Sequence, residues 1–171
     1  MREYSGREIR NIAVVGHGAS GKTSLVDALA FVSGSSKRHG SVKDGTSLTD
    51  HAPEEVERGY SINLGCAFAE WERTKINLID TPGFLDFQGD AIAGLAAADG
   101  ALCVVSATGG VEVGTERMFR EAVARRDPVL FVVSRPRTRR PGRRPHARGR
   151  ASTRAARRPA PSGQRSAPAR R

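Results

Sequence analysis

The sequence lacks the features of a membrane protein, of a secreted protein and of a metal site built on cysteines. No stretch reaches the roughly 20 apolar residues that span a bilayer, and the start MREYSGREIRN has no signal-peptide run. The two cysteines, Cys66 and Cys103, have no His or Cys neighbours and lie in apolar runs. They are predicted to be buried core thiols, since a metal site needs clustered ligands. We expect a cytoplasmic monomer with no membrane partner.

Acidic and apolar side chains are missing from the end of the chain. Residues 135–171 contain no Asp, Glu, Lys, Val, Ile, Leu, Met, Phe, Tyr or Trp, but hold 14 of the 28 basic residues and six of the nine prolines. Residues 1–134 therefore carry 14 bases against 18 acids, a net charge of -4. A segment with nothing apolar to bury cannot offset its ordering entropy. We expect one domain over 1–134 and a disordered Arg/Pro/Ala-rich tail over 135–171.

Apolar runs alternate with helical patterns through the first 134 residues. The runs at 9–16, 62–72, 75–80, 101–107 and 128–134 predict strands, the second and third forming an antiparallel hairpin. The patterns at 22–34, 90–99 and 114–126 predict helices, and 35–60 is predicted to be a long loop. Continuous apolar strands between helices indicate an α/β fold with a mostly parallel sheet covered on both faces.

The first chemical motif is GHGASGKT at residues 16–23, between a predicted strand and a predicted helix. It matches the P-loop pattern, in which glycines let backbone N–H groups and a helix N-terminus surround a phosphate. Lys22 would reach the terminal phosphates, and Thr23 would offer a hydroxyl to Mg²⁺. The context favours a P-loop over a chance glycine-rich turn.

The second motif is INLIDTPG at residues 76–83, about sixty residues after the P-loop. A strand that ends in Asp80 would place a carboxylate beside the P-loop, on the metal side of a bound nucleotide. Gly83 would bring a backbone N–H to the terminal phosphate. A lone Asp at a strand end usually forms a turn, but the preceding P-loop favours the metal role.

Taken in order, the motifs resemble a known family over about residues 8–133. They are GHGASGKT, ERGYSI at 57–62, DTPGFLDF at 80–87, ADGALCVVSATGGVEVGTE at 98–116 and PVLFVV at 128–133. The chain resembles the nucleotide-binding domain of translational GTPases, most of all elongation factor G and its elongation factor G-like paralogues. The resemblance implies a Ras-like P-loop NTPase fold, a three-layer α/β sandwich, with GTP/GDP and Mg²⁺ as ligands and the ribosome as partner. It also implies an enzyme that hydrolyses GTP.

The resemblance assigns residues to the site one by one. Ser61 stands where the family usually has a switch threonine, so the implied metal ligands are Thr23, Ser61 and Asp80. Arg58 and Gly59 belong to the same switch signature, although an ordinary charged loop residue and a turn would also explain them. The implied nucleotide-binding residues are Gly16, His17, Gly18, Ala19, Ser20, Gly21, Lys22, Thr23, Ser24, Asp80, Thr81, Pro82 and Gly83.

Two positions depart from the family in ways that affect the chemistry. Ala19 replaces a common Asp, which puts any cation held there in doubt. Phe84 replaces the His that positions the attacking water, and a phenyl ring can neither accept a proton nor hydrogen-bond water. Because losing such a group typically costs about 10²- to 10⁴-fold, slow hydrolysis is expected and no residue is assigned as catalytic. His17 is predicted to pack the loop instead of acting as a base.

The run after residue 133 departs from the family altogether. The family continues with Asn-Lys-x-Asp, which reads guanine, whereas this chain continues with Ser134 and RPR at 135–137. If the arginines of RPRTRR are encoded by CGN codons, sliding the frame forward by one nucleotide permits Asp, Arg, Glu, His, Ala, Asp. We therefore predict a frameshift near codon 134, which leaves the fold incomplete at its C-terminus and its activity doubtful.

Two other functions remain open from the sequence. Taken as written, 14 arginines in the tail would bind RNA or DNA non-specifically with strong salt dependence, although the tail has no aromatic residues for base stacking. A P-loop ATPase of another branch is the third possibility, and the DTPG and ERGYSI elements weaken it. Without the guanine-reading Asp, the preference for GTP over ATP is predicted to be small.

Overall fold

The computed structural model describes residues 3–134, which fall within one structural unit. The tail over 135–171 lies outside the described residues, and so do the predictions that it is disordered and out of frame. Strands β1 to β5 are Ile9–Gly16, Gly65–Trp71, Thr74–Asp80, Gly100–Ser106 and Val129–Ser134. Helices α1 to α4 are Lys22–Val32, Pro53–Arg58, Gln88–Ala96 and Val113–Arg125.

The five strands form one sheet in the order β2-β3-β1-β4-β5. Strand β1 lies in the centre and pairs in parallel with β3 and β4, and β4 pairs in parallel with β5. Strands β2 and β3 form the expected antiparallel hairpin, with Trp71 opposite Thr74. The prediction of a mostly parallel α/β sheet is confirmed, and the carboxyl ends of β1 and β3 lie side by side.

Two apolar clusters cover the two faces of the sheet. Successive side chains of a strand point to opposite faces, and β1 shows this directly. Ala13 and Val15 pack with Leu95 of α3 and Met118 of α4 on one face. Val14 packs with Val26 of α1 and with Leu78 and Val104 on the other. Helices on both sides of the sheet give the three-layer architecture that the sequence predicts.

Strand β5 differs from the prediction of a buried strand. Leu130, Phe131 and Val133 are 66%, 51% and 65% exposed. Within the described residues β5 is an edge strand that pairs only with β4, so its apolar run has few neighbours to pack against. Phe119 of α4 partly covers it, with its ring centroid 5.3 Å from that of Phe131. The prediction of a sheet covered on both faces therefore fails at this edge.

The segment between α1 and β2 is more ordered than a plain loop. Residues Val42–Asp44 form a 3-10 turn, and Pro53–Arg58 form helix α2, which begins at a proline and ends at Gly59 in the left-handed conformation (φ 70°). A proline suits the first turn of a helix because that position needs no N–H donor, and glycine suits the left-handed residue at the end. Helix α2 was not predicted.

The two cysteines differ in burial. Cys103 in the inner strand β4 is buried, as predicted, but Cys66 is exposed, and the prediction for it is wrong. Cys66 lies in β2, which among residues 3–134 is the other edge strand of the sheet and pairs only with β3. Over residues 3–134 no helix has the length and apolar character needed to cross a membrane.

Candidate nucleotide-binding site

The loop between β1 and α1 has the backbone geometry that its glycines permit. Gly16 and Gly21 have φ angles of 146° and 94°, which side chains other than hydrogen rarely tolerate. A Cβ atom at Gly16 would lie 2.4 Å from the carbonyl oxygen of Val104. Ala19 also adopts a left-handed φ of 58°. The loop therefore turns sharply between the buried end of β1 and the first turn of α1.

Lys22 begins α1 and lies back across the loop. Its Nζ atom donates a hydrogen bond to the carbonyl oxygen of His17 at 2.8 Å. A Cβ atom at Gly83 would lie 2.7 Å from the backbone nitrogen of Gly18 and 2.8 Å from the carbonyl carbon of His17, so glycine is required where the chain after β3 meets the loop. Burial lowers the pKa of Lys22 to about 8, although Asp80 and Asp50 favour its charged form. A bound phosphate would oppose this lowering.

Two hydroxyl groups and two carboxylates converge beside Lys22. The Oγ1 atom of Thr23 and the Oγ atom of Ser61 lie 3.1 Å apart. Asp80 accepts a 2.7 Å hydrogen bond from Thr49 at Oδ2, while its Oδ1 atom is buried and unpartnered among the described residues. Asp50 also has a buried, unpartnered Oδ2 atom. Burial raises the pKa of Asp80 to about 6 and also raises the pKa of Asp50.

This donor set fits a hard divalent cation. Mg²⁺ prefers oxygen ligands, keeps several waters and is commonly held by one or two carboxylates together with substrate phosphates. Residues 3–134 contain no cluster of three or more His, Cys, Asp or Glu side chains that could hold a metal alone. The hydroxyls of Thr23 and Ser61 and the free carboxylate oxygens would hold such a cation together with waters and phosphate ligands.

A cavity of about 320 Å³ opens over these groups. Eight of the predicted residues line it: Gly18, Ala19, Gly21, Lys22, Thr23, Ser24, Ser61 and Gly83. The cavity is also lined by Gly59, Tyr60 and Phe84, which lie within the motifs ERGYSI and DTPGFLDF, and by three residues that no motif identified: Val42, Lys43 and Asp50. Among these described residues, Asp50 offers a carboxylate with an unpartnered oxygen. Its position eleven residues before Ser61, in an otherwise polar segment, offered no spacing rule that could have found it.

The remaining predicted residues do not line the cavity. The backbone N–H and the hydroxyl of Thr81 both donate to the carbonyl oxygen of Val14, so Thr81 fastens β3 to β1. Asp80, Pro82 and Ser20 are buried. Gly16 is the last residue of β1.

His17 lies against the start of α4. Its Nε2 atom is 3.6 Å from Oε1 of Glu112, and its backbone N–H donates to the hydroxyl of Thr115 at 3.3 Å. A Cβ atom at Gly114 would lie 2.8 Å from His17 Nδ1, so the ring packs closely on the helix. These contacts agree with a packing role for His17.

Ser134 joins the end of β5 to the phosphate loop. Its hydroxyl donates to the carbonyl oxygen of Ser20 at 2.6 Å and lies 3.4 Å from that of Val105. From the sequence, Ser134 is notable only as the first residue that departs from the family motif. In the structure it connects β4, β5 and the loop.

Glu55 organises the segment that carries Tyr60 and Ser61. Its buried carboxylate accepts hydrogen bonds from the backbone N–H groups of Ile62, Asn63 and Ala52 at 2.9, 3.0 and 3.2 Å. Burial alone would raise the pKa of Glu55, but these donors outweigh it and leave the pKa below its ordinary value of 4.5. The motif ERGYSI did not reveal this residue, because it lies two positions upstream.

A mostly parallel sheet, a glycine loop that leads into a helix, and an acidic strand end beside it define a P-loop nucleotide-binding fold. The family model named elongation factor Tu GTP binding domain matches residues 7–135 of the sequence. The chain belongs to this family of translational GTPases, as the resemblance predicted.

Curated relatives agree with this assignment. The chain is 39% identical over 126 residues to the mitochondrial ribosome-releasing factor 2 of Lodderomyces elongisporus. The aligned segment covers 74% of this chain and 15% of that protein. The chain is also 38% identical over 128 residues to the tetracycline resistance protein TetM from transposon Tn916 of Enterococcus faecalis, with coverage of 75% and 20%. The chain thus spans about a fifth or less of the length of these relatives.

Solved structures show the same fold. A crystal structure of a protein from Thermus thermophilus superposes with a TM-score of 0.72 at 41% identity, covering 75% of this chain and 19% of that one. The bacterial selenocysteine-specific elongation factor EF-Sec gives a TM-score of 0.54 at 31% identity, with coverage of 67% and 17%. Both likenesses are confined to a small part of the longer proteins.

Proposed function

We propose that this domain binds GTP and GDP with Mg²⁺ in the cavity over the phosphate loop, as the nucleotide-binding part of an elongation factor G-like GTPase. The observation that carries the proposal is the convergence of Lys22, Thr23, Ser61 and the carboxylate of Asp50 on one open cavity. Family membership supports guanine as the base. A P-loop ATPase of another branch has no comparable support.

Each residue has a defined task in this proposal. The backbone N–H groups of the loop from Gly18 to Lys22, at the N-terminus of α1, hold the phosphates, and the Lys22 ammonium neutralises their charge. Thr23 and Ser61 would hold the metal through their hydroxyls, and Asp80 would act on the metal side, usually through water. Bound Mg²⁺ would neutralise charge that develops on the phosphates during transfer.

Hydrolysis by this chain is proposed to be slow. Phe84 sits where a water-positioning side chain would be needed, and its ring contacts Gly18 and Tyr60 instead of offering a polar atom to the cavity. Among the described cavity-lining residues, Asp50 has a free carboxylate oxygen, but it lies with the metal-binding groups. The domain would therefore bind nucleotide better than it turns it over.

The ribosome is the proposed partner of the longer protein to which such a domain belongs. Support comes from relatives whose names refer to ribosome release and to tetracycline resistance. Ribosome action, a monomeric state and a cytoplasmic location remain predictions for this chain. Because the chain matches only 15–20% of the length of these relatives, ribosome binding requires a test on a form with the frame restored.

Nucleotide binding can be tested directly on the full 171-residue chain. Titration with a fluorescent GDP analogue in Mg²⁺ is expected to saturate, and Lys22→Ala is expected to weaken it at least tenfold. Lys37→Ala, at an exposed lysine away from the cavity, serves as the matched control. Equal binding by all three proteins would contradict the proposal, and competition by ATP and GTP measures base preference.

The frameshift is proposed from the composition of the tail, the break in the family motif and the codons that a shifted frame permits, and it calls for a separate measurement. Sequencing the genomic DNA across codons 125–172 decides it. An insertion or deletion that restores Asn-Lys-x-Asp supports a misread GTPase. Confirmation of the present frame makes the arginine tail real, and salt-dependent binding to single-stranded RNA, independent of nucleotide, then becomes the expected property.

A further inference from the structure

Gly18 and Phe84 are fitted to each other across the mouth of the cavity. A Cβ atom at Gly18 would lie 3.0 Å from two carbons of the Phe84 ring and 3.2 Å from a third. Such distances are tighter than most Cβ contacts, so a side chain at this position would make the ring shift by a few tenths of an ångström. The φ angle of Gly18 is not positive, in contrast to Gly16 and Gly21. The ring, and not the backbone conformation, therefore disfavours a side chain at Gly18.

The other side of the Phe84 ring contacts Tyr60. The two ring centroids lie 4.7 Å apart with a 59° tilt, within the range of favourable aromatic pairs. Tyr60 is half-buried, and its hydroxyl accepts a 3.3 Å hydrogen bond from Arg58. Three separate segments of the chain thus meet at one aromatic contact: the phosphate loop, the segment after α2 and the segment after β3.

Both aromatic residues line the cavity and are adjacent to residues proposed to hold the nucleotide. Tyr60 precedes the metal-binding Ser61, and Phe84 follows Gly83. Neither Ser61 nor Gly83 can withdraw far from a bound nucleotide while the rings stay packed. The contact between the rings therefore opposes opening of the cavity at its phosphate end.

We propose that Gly18, Tyr60 and Phe84 form an aromatic clasp that retains a bound nucleoside diphosphate or triphosphate. This inference rests on the proposed nucleotide site and adds a determinant of its dissociation rate. In the clasp, Phe84 makes an apolar contact at a position where a polar, water-positioning side chain is expected. Gly18 provides the space that the ring needs, and Tyr60 holds the ring over the loop.

The dissociation rate of a fluorescent GDP analogue from the full chain tests the clasp. An aromatic pair of this kind corresponds to a roughly 2- to 10-fold change, so Phe84→Ala and Tyr60→Ala are each expected to accelerate dissociation by that factor. The double variant is expected to be no faster than the single ones, since both remove the same contact. Leu85→Ala, at an exposed neighbour outside the cavity, is the control and should leave the rate unchanged. Multiplicative effects of the two substitutions, or no effect, would overturn the proposal.

Gly18→Ala provides a test that needs no ligand. In the nucleotide-free chain it is expected to lower the thermal unfolding midpoint by about 2–8 °C when Phe84 is present. In the Phe84→Ala background the added methyl group has free space, so the same substitution should shift the midpoint by much less. Equal shifts in both backgrounds would contradict the fit between Gly18 and Phe84.

The two experiments separate the clasp from the function on which it rests. If the chain binds no GDP analogue, the proposed nucleotide function fails, whereas coupling between Gly18 and Phe84 in unfolding would still show the fitted contact. If the GDP analogue binds and neither aromatic substitution changes its dissociation rate, the nucleotide function stands and the clasp is wrong.

Discussion

The hydroxyl of Thr49 donates a 2.7 Å hydrogen bond to Oδ2 of Asp80, and both side chains are buried. This bond joins the long segment after α1 to the carboxyl end of β3. Close packing reinforces it, because a Cβ atom at Gly65 would lie 2.4 Å from Cβ of Thr49. The backbone N–H of the preceding Leu48 donates to Oδ1 of Asp27 on α1. Two buried carboxylates thus fix residues 48 and 49 beside the site.

Thr49→Val is expected to lower the free energy of unfolding by about 1–3 kcal/mol, because it leaves a buried carboxylate oxygen without a donor. Chemical denaturation of the nucleotide-free chain measures this. Thr49→Ser keeps the hydroxyl and loses only a methyl group, so it should retain more of the stability. If valine and serine are equally destabilising, packing and not the hydrogen bond holds the segment.

Glu55 makes a pH-dependent contribution whose sign follows from its lowered pKa. The folded-state pKa lies below the ordinary 4.5, so the stabilisation is fully present above about pH 4.5 and is lost as pH falls through the folded-state pKa. Glu55→Gln is expected to cost about 1–3 kcal/mol near neutral pH, because an amide oxygen replaces a charged acceptor. The difference from the unsubstituted protein should shrink in acid.

Denaturant titrations between pH 3 and pH 7 check this expectation for Glu55. Glu54→Gln is the matched control, since Glu54 lies on the same helix but is exposed. A cost for Glu55→Gln that does not change with pH would show that the carboxylate charge is not what matters. An equal cost at Glu54 would point to helix α2 as a whole.

The sequence predicts those parts of the site that a short, contiguous run of residues marks. The phosphate loop is one contiguous motif, and Asp80 ends an apolar strand, so both follow from short patterns. Asp50, Glu55 and Ser134 act through contacts with residues distant in sequence, and no periodicity marks them. The exposure of β5 was missed for a related reason: an apolar run indicates that a strand suits burial, not that neighbours are present to bury it.

Ser134→Ala is expected to weaken GDP binding roughly 2- to 10-fold, because one ordinary hydrogen bond contributes that much in free-energy terms. The substitution removes the donor that holds the Ser20 carbonyl, so the loop would hold its phosphate-facing N–H groups less firmly. Equilibrium titration with a fluorescent GDP analogue measures the loss. Ser134→Thr retains a hydroxyl and should keep most of the affinity, and equal losses for both variants would argue against the hydrogen bond.

Phe84→His is expected to raise GTP hydrolysis, since it returns a group that can orient water to a position on the cavity wall. Restoring such a group is typically worth about 10²- to 10⁴-fold once it is correctly placed. Single-turnover hydrolysis with ribosomes, on a form with the frame restored, measures the gain. Phe84→Ala separates the effect of the imidazole from mere loss of the ring. A Phe84 protein already as fast as an ordinary elongation factor G would refute slow hydrolysis.

Leu102 and Leu130 offer a matched test of the exposed edge, because they are opposite each other in the register of β4 and β5. Leu102 is 8% exposed and Leu130 is 66% exposed. Leu102→Ala is expected to cost about 2–5 kcal/mol of unfolding free energy, as buried leucines do, while Leu130→Ala should cost well under half of that. Denaturant titration of both variants gives the comparison. The cost of Leu→Ala at two leucines on adjacent paired strands depends on what packs against each side chain. Equal costs would therefore mean that β5 is covered in solution by chain outside residues 3–134 or by another molecule.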